Sequence, residues 1–255
     1  MTTERLVGRS WPVPLAWAML QLLLLGLGLA SLVWNAVALL LLPLLPRDAG
    51  RRVGRAAISR GYRTFFRVAR ASGLLRMDAD ALRPLADEPG LMIVANHPSL
   101  LDALMLVAEL PRSACVMKAS LLHNPFLAPG ALLARYIRND GAHRMLREAI
   151  DDLRAGGQLV LFPEGTRTTR LPLNPLQSGF ALIARRANAP VQVVFIDTAS
   201  PYLGKGWPLW RLPPLPIEFS VRLGRRFEAT SDDLPAFVRE VERHLAGGVR
   251  PAPRA

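Results

Sequence analysis

The chain divides by hydrophobic pattern into a long apolar run, a helical stretch with a basic sector, and a region where short apolar runs alternate with helical periodicity. From Leu15 to Leu42 the only polar side chains in 28 residues are Gln21, Ser31 and Asn35. As one helix this run is about 42 Å long, at roughly 1.5 Å per residue, against a hydrocarbon core of roughly 30 Å. It either spans a bilayer with tilt or breaks near Ser31–Asn35 into a hairpin embedded in one leaflet. The hairpin is preferred, because it keeps Arg5, Arg9 and the downstream arginines together on a cytoplasmic side. A cleaved signal peptide would carry a shorter apolar core followed by a clear break.

Between Arg51 and Arg70 the residues Ile58, Tyr62, Phe65 and Ala69 recur at helical spacing, while Arg55, Arg63, Arg67 and Arg70 occupy another sector. Such a helix suits an anionic membrane surface; the alternative is a domain helix with a solvated basic face. Strands are expected at Leu91–Ala95, Ala114–Met117, Tyr136–Ile137, Gln158–Phe162, Val191–Ile196 and Ile217–Leu223. Helices are expected at Leu100–Glu109, Ala142–Arg154, Gly179–Arg186 and Asp233–Leu245, the last closed by Gly247-Gly248. Trp207–Pro216 holds four prolines in ten residues, too many for a helix or central strand, and reads as an apolar loop on lipid or a packed connection. The fold class is therefore α/β, a mixed central sheet flanked by helices, with an N-terminal membrane-embedded helical segment. The expected organisation is an anchor over 1–50, a basic membrane-surface helix over 51–75, a globular domain over 76–247 and a disordered tail over 248–255.

Charge sharpens this picture. The 255 residues carry a net charge of +12, almost all from arginine, since Lys118 and Lys205 are the only lysines. That bias either marks acidic partners or reflects base composition. Residues 1–75 hold ten arginines against Glu4 and Asp48, beside the apolar run, which favours lipid. Aromatic interleaving is too thin for a nucleic-acid surface. Cys115 is the one cysteine, so no intramolecular disulfide forms, and no zinc-type Cys/His spacing exists.

Two short segments carry the chemistry, each beginning where an apolar run ends. In Asn96-His97-Pro98-Ser99-Leu100-Leu101-Asp102, Pro98 stops the strand and Ser99 can start a helix. Asp102 then lies in the first turn, where its carboxylate can fold back on the imidazole. One ring nitrogen donates to Asp102 and the other is left as a proton acceptor, the arrangement of a general base. Ser99-x-x-Asp102 is equally a variant capping box, which needs no chemistry. In Phe162-Pro163-Glu164-Gly165-Thr166-Arg167-Thr168, Gly165 permits a sharp turn at the carboxyl edge of the sheet. There Arg167 can clamp a phosphate and Glu164 can accept a hydrogen bond from a substrate hydroxyl; alternatively the two form an ion pair that stabilises the turn.

Asn-His-x4-Asp followed some sixty residues later by Phe-Pro-Glu-Gly-Thr-Arg resembles the lysophosphatidic acid (1-acylglycerol-3-phosphate) acyltransferase family, over roughly residues 60–225. The resemblance implies that His97 and Asp102 are a catalytic dyad and that Glu164, Gly165, Thr166 and Arg167 shape the acceptor site. It also implies a lysine and an arginine near the acceptor phosphate. Lys118 matches the first; Arg138 is the best match for the second, although Ile137-Arg138-Asn139-Asp140 departs from the Ile-Asp-Arg of the family. The implied reaction is acyl transfer from acyl-CoA or acyl carrier protein, consumed as donor substrate, to the hydroxyl of a membrane lysophospholipid, with no cofactor, no metal and no covalent acyl-enzyme. Backbone amides at the start of the Ser99 helix are candidate oxyanion donors. A phosphate-free lysolipid acceptor, a phosphoesterase with a metal on His97, Asp102 and Glu164, and a non-catalytic membrane binder remain alternatives.

Overall fold

The structure is a computed structural model that describes residues 11–229 and 233–250, the side chains of Leu121 and Leu122 excepted. Of the tail expected over 248–255, Gly248 ends the last helix, Val249 packs on the core and the Arg250 amide donates to Asp197 Oδ1 at 3.1 Å, whereas 251–255, with Arg5 and Arg9, lie outside the described residues. Two long helices come first, α1 (Val13–Leu41) and α2 (Arg47–Ala71). There follow β1 (Leu75–Asp78), a 3-10 helix (Asp80–Leu85), β2 (Met92–Ala95), α3 (Leu101–Glu109) and β3 (Ser113–Lys118). A second 3-10 helix (Ala119–His123), α4 (Ala128–Leu133), β4 (Ile137–Asn139), α5 (Ala142–Arg154) and β5 (Gln158–Leu161) come next. The chain ends in α6 (Gly179–Ala187), β6 (Val191–Asp197), β7 (Ile217–Phe227) and α7 (Leu234–Gly248).

The seven strands form one sheet in the order β1-β7-β6-β2-β5-β3-β4. From β6 to β4 all neighbours are parallel; β7 is antiparallel to β6 and carries β1 parallel on its outer edge. The mixed sheet expected from the pattern is therefore present. Alternation along each strand assigns the two cores. Ile93 and Ala95 face the layer of α1, α2 and α3, whereas Met92 and Val94 face the layer of α5, α6 and α7. Strands buried on both faces read as unbroken apolar runs, as β2 and β6 do. β1 and α4 carry no visible signal in the pattern: both are short, β1 on the outer edge of the sheet and α4 packed against α1 and α2.

The anchor departs from the hairpin expected near Ser31–Asn35. α1 runs unbroken through that segment for 29 residues. The polar residues that suggested a break are instead the points where the helix is attached to the domain. Trp17 Nε1 donates to the Trp210 carbonyl at 2.8 Å and Gln21 Nε2 to the Leu209 carbonyl at 3.4 Å. Ser31 Oγ and Asn35 Nδ2 donate to the Phe126 carbonyl, and Asn35 Oδ1 accepts from the Gly130 amide at 2.7 Å. Trp17 and Asn35 share one helix face, since 18 residues make five turns of 3.6. The other faces stay apolar and open: Leu22, Leu25, Leu29, Val33 and Leu40 are all more than half exposed.

α2 is amphipathic as expected, but it is built into the domain. Phe66 and Ala69 enter the core, and Ser59 Oγ and Arg63 both donate to the Ala108 carbonyl at the end of α3. Arg55, expected in the outer basic sector, is only 4% exposed. It pairs with Asp152 at 2.7 Å and donates to the carbonyls of Ala134 and Arg112, which holds α2 against α4, α5 and β3. Trp207–Pro216 is irregular as expected. It packs on α1 through the contacts at Leu209 and Trp210 while both side chains stay exposed.

Candidate active site

β2 and β5 are neighbours in register, with Val94 opposite Leu161, so both motifs leave the sheet side by side at its carboxyl edge. Asn96 prolongs the ladder with its side chain: Nδ2 donates to the Ile196 carbonyl and Oδ1 accepts from the Ile196 amide, each at 2.8 Å. That pairing to β6 frees the backbone at His97 to turn toward the second motif. There the His97 amide donates to Glu164 Oε1 at 3.0 Å, and the His97 carbonyl accepts from the Thr168 amide at 2.7 Å. The imidazole stacks on the Phe162 ring, with centroids 4.0 Å apart and planes 19° from parallel.

His97 Nδ1 lies 3.0 Å from Asp102 Oδ2. The same oxygen accepts the Ser99 amide at 2.7 Å. The capping-box reading and the dyad reading are therefore both realised by one carboxylate atom. Asp102 is fully buried. Burial pushes its carboxyl up to about 6, against the pull of the His97 and Ser99 hydrogen bonds toward the charged form. The imidazole itself is 15% exposed, and its Nε2 is neither sealed in nor bonded to a described residue. A base with one nitrogen fixed and the other open can receive a proton from a bound hydroxyl.

Glu164, expected to accept from a substrate hydroxyl, has both carboxylate oxygens engaged by protein donors. It is 4% exposed. Its Oε1 accepts from the His97 amide and the Thr168 hydroxyl, and its Oε2 accepts from the Asn174 amide at 2.9 Å. It is the internal knot of the turn, because three donors converge where the chain reverses. Nor does it pair with Arg167. Arg167 Nη1 donates to the carbonyls of Leu203 and Gly204, at 2.8 and 3.0 Å, and no described carboxylate lies in ion-pair range. Gly165 takes φ +68°, the left-handed region that glycine favours. Thr166 makes no hydrogen bond to a described residue.

The two further basic candidates lie along the same edge. Lys118 ends β3, is exposed, and has no described partner. Arg138 sits on the edge strand β4, three strands from β2 and so about 14 Å across the sheet. Asp140 stands 4.0 Å from its Nε. The structure therefore brings Arg167 to the His97 turn and leaves Arg138 apart from it. The expected oxyanion donors are also overturned: the Ser99 amide is committed to Asp102, that of Leu100 to the Leu203 carbonyl, and that of Leu101 to Ser99 Oγ. The amides of Thr166 and Arg167 carry no bond to a described residue. Loss of hydration pushes the Cys115 thiol up to about 12, which leaves it no nucleophilic thiolate near neutrality. Among the described residues no group of three His, Cys, Asp or Glu side chains is arranged to hold a metal ion.

Two functional elements were missed from sequence. Asn174 donates its amide to Glu164, and its Oδ1 accepts from Thr169 and Arg170. The Pro201–Gly204 loop after β6 receives Ser99 Oγ on the Tyr202 carbonyl at 2.9 Å, as well as Leu100 and Arg167. An asparagine within Leu-Pro-Leu-Asn-Pro hints at a side-chain-stabilised turn, but nothing local says what the turn holds.

The family model Acyltransferase matches residues 76–197, which contain both motifs. The human protein 1-acyl-sn-glycerol-3-phosphate acyltransferase beta is 28% identical over 224 residues, covering 75% of this chain and 74% of that one. A 1-acyl-sn-glycerol-3-phosphate acyltransferase of Pseudomonas aeruginosa is 22% identical, covering 71% of each. The fold matches the crystal structure of the 1-acyl-sn-glycerophosphate (LPA) acyltransferase PlsC from Thermotoga maritima, with TM-score 0.65 and 21% identity over 91% of this chain and 93% of that one. Both motifs lie inside the matched segment, and His97 and Asp102 meet in space there, so the likeness to acyltransferases covers the part of the chain that carries the candidate chemistry.

Proposed function

We propose that this protein transfers a fatty acyl group from a thioester donor, acyl-CoA or acyl carrier protein, to the hydroxyl of 1-acylglycerol-3-phosphate. The observation that carries this reading is the joining of His97 and the Arg167 loop, by the amide of His97 on Glu164 and the amide of Thr168 on His97. An open base and a guanidinium without a carboxylate partner thus sit on one knot, as an acceptor bearing both a hydroxyl and a phosphate requires. The relatives named 1-acyl-sn-glycerol-3-phosphate acyltransferase support that choice of acceptor.

In the proposed reaction His97 Nε2 takes the proton of the acceptor hydroxyl as its oxygen attacks the thioester carbonyl. Asp102 holds the ring and stabilises the imidazolium. The uncommitted amides of Thr166 and Arg167 receive the oxyanion. The carbon–sulfur bond then breaks, and the leaving sulfur takes the proton back from His97, yielding an ester and a free thiol. General-base catalysis supplies about 10²–10⁴ of the acceleration; positioning by the knot and electrostatic stabilisation supply the rest. No cofactor enters this scheme.

The same proposal places the domain on the cytoplasmic face of a membrane, with α1 lying along one leaflet. Its contacts at Trp17 and Asn35 are 18 residues apart, so about 27 Å of the helix is held against the domain. A helix leaving the domain to cross a bilayer would keep contact at one end only. The open face of α1, with exposed Phe126, Leu209 and Trp210 beside its contact points, forms one continuous apolar border for lipid.

The test is thioester consumption by the full chain, with acyl-CoA and acyl carrier protein as donors, against lysolipids of matched chain length with and without a phosphomonoester. Saturable consumption with 1-acylglycerol-3-phosphate is expected, with a much smaller kcat/KM on the phosphate-free analogue. Equal rates on both, or preference for an amino-acid lysolipid, would overturn the acceptor assignment.

A further inference from the structure

We infer that the Pro201–Gly204 loop is a positioning element for the acceptor phosphate: it orients Arg167 without neutralising it, and it locks that orientation to the turn that carries His97. The inference rests on the acceptor reading above and names the part of the fold that makes Arg167 fit for it.

A guanidinium has five N–H donors, and an anion site must fix some of them while leaving the charge and the others free. A carboxylate partner would fix the group and cancel its charge. Here Nη1 alone is held, by the carbonyls of Leu203 and Gly204, and the fixing groups are uncharged dipoles. Nε and Nη2 have no described partner. The Leu203 carbonyl also accepts the Leu100 amide, and the neighbouring Tyr202 carbonyl accepts Ser99 Oγ. One short loop therefore fixes both the helix start that presents Asp102 and the arginine of the second motif.

The loop holds a backbone that needs support. Leu203 sits at φ +55°, a region few non-glycine residues adopt. Its side chain and that of Tyr202 are buried at 4% and 2% exposure, so core packing holds the turn while its carbonyls face outward to the two motifs. Gly204 closes the arrangement. A Cβ there would stand 3.1 Å from the Pro201 carbonyl oxygen and 3.7 Å from that of Pro98, the residue next to His97.

The experiment compares Gly204→Val and a single-glycine insertion between Leu203 and Gly204, in the full chain, on 1-acylglycerol-3-phosphate and on the matching monoacylglycerol. Each change moves the carbonyls that hold Nη1; the insertion does so without a steric clash and covers the case in which Gly204→Val fails to fold. KM for the phosphate acceptor is expected to rise about tenfold or more, the size of a lost charge-assisted hydrogen bond. Because the Leu203 carbonyl also holds the helix start that presents Asp102, kcat is expected to change by a common factor on both acceptors, while KM for the monoacylglycerol stays within about threefold. Added to Arg167→Ala, either change should cost nothing further in KM. Unchanged KM in the folded variants, equal rises in KM on both acceptors, or losses additive with Arg167→Ala would overturn the inference. If Arg167→Ala itself leaves KM for the phosphate acceptor unchanged, the acceptor reading fails; if only the loop variants are silent, the positioning role alone fails.

Discussion

Glu164 Oε1 accepts the backbone amide of His97 at 3.0 Å across 67 residues of sequence, so the carboxylate of the second motif is spent on fixing the turn that carries the imidazole of the first. Glu164→Ala leaves the amides of His97 and Asn174 and the hydroxyl of Thr168 without their acceptor in a buried site. Each such loss costs about 1–3 kcal/mol. Both thermal midpoint and kcat are expected to fall together in this variant, with kcat down at least about tenfold. Glu164→Gln should recover part of both, because its amide oxygen still accepts from His97 and Thr168 while its NH2 meets the Asn174 amide donor to donor. A variant that keeps its melting temperature and loses only acceptor affinity would show instead that Glu164 touches substrate.

His97→Ala removes the base of the proposed reaction but none of the backbone bonds that hold the turn, since those use its amide and carbonyl. Turnover is expected to drop at least about a hundredfold, while far-UV circular dichroism and donor binding are preserved. Near-normal turnover in a folded His97→Ala protein would remove His97 from the mechanism.

Much of this arrangement is legible along the chain, and the division has a physical cause. The strands of the parallel block are apolar on both faces, so β2, β5 and β6 stand out as runs. The residues that must lie near a strand end, His97 and Arg167, can be located from those runs. What the sequence conceals is the choice of partner. A glutamate beside an arginine three residues on reads as an ion pair or a ligand group, yet Glu164 turns inward to amides and Arg167 turns to carbonyls. Arg55 follows the helical spacing of a solvated basic face, yet Asp152 arrives from α5 to bury it. Ser31 and Asn35 read as a break because their partners, Phe126 and Gly130, are more than ninety residues away. Periodicity reports which face is apolar; it does not report which polar groups tertiary structure will supply.

Asp102 gives the site a pH signature that is separate from catalysis. Its carboxyl is raised from 3.8 to about 6, chiefly by burial. Between those values the folded protein holds a proton that the unfolded chain has released, so this stabilising contribution is complete below about pH 4 and is lost as pH rises through about 6. Asp102→Asn has no such titration. Its thermal midpoint relative to the unaltered protein is expected to increase from pH 4 to pH 7 and then level off, while kcat is at least about a hundredfold lower throughout. Melting curves of both proteins across pH 4–8 test this. A difference that is flat with pH, or that shrinks toward neutrality, would mean that Asp102 ionises in the fold as readily as in the unfolded chain.

The seating of α1 makes the last prediction. Asn35 is 3% exposed and bridges the Phe126 carbonyl and the Gly130 amide, while a Cβ on Gly130 would stand 2.6 Å from Trp34 Nε1. Asn35→Leu keeps the helix apolar and leaves its affinity for lipid intact or greater, but strips the bridge and leaves the Gly130 amide buried without a partner. Gly130→Ala attacks the same contact from the domain side by wedging α1 away. Both variants are expected to remain bound to vesicles, to show faster hydrogen exchange at the backbone amide of position 130, and to lose activity on acceptor embedded in vesicles more than on acceptor dispersed in detergent micelles. That split follows if the helix sets the height and tilt of the His97 cleft against the bilayer, because a micelle does not impose a plane on the domain. Equal activity loss in both media would show that α1 supports only the stability of the domain. Release from vesicles would show that the Asn35 contact, rather than the open apolar face, holds the protein to lipid.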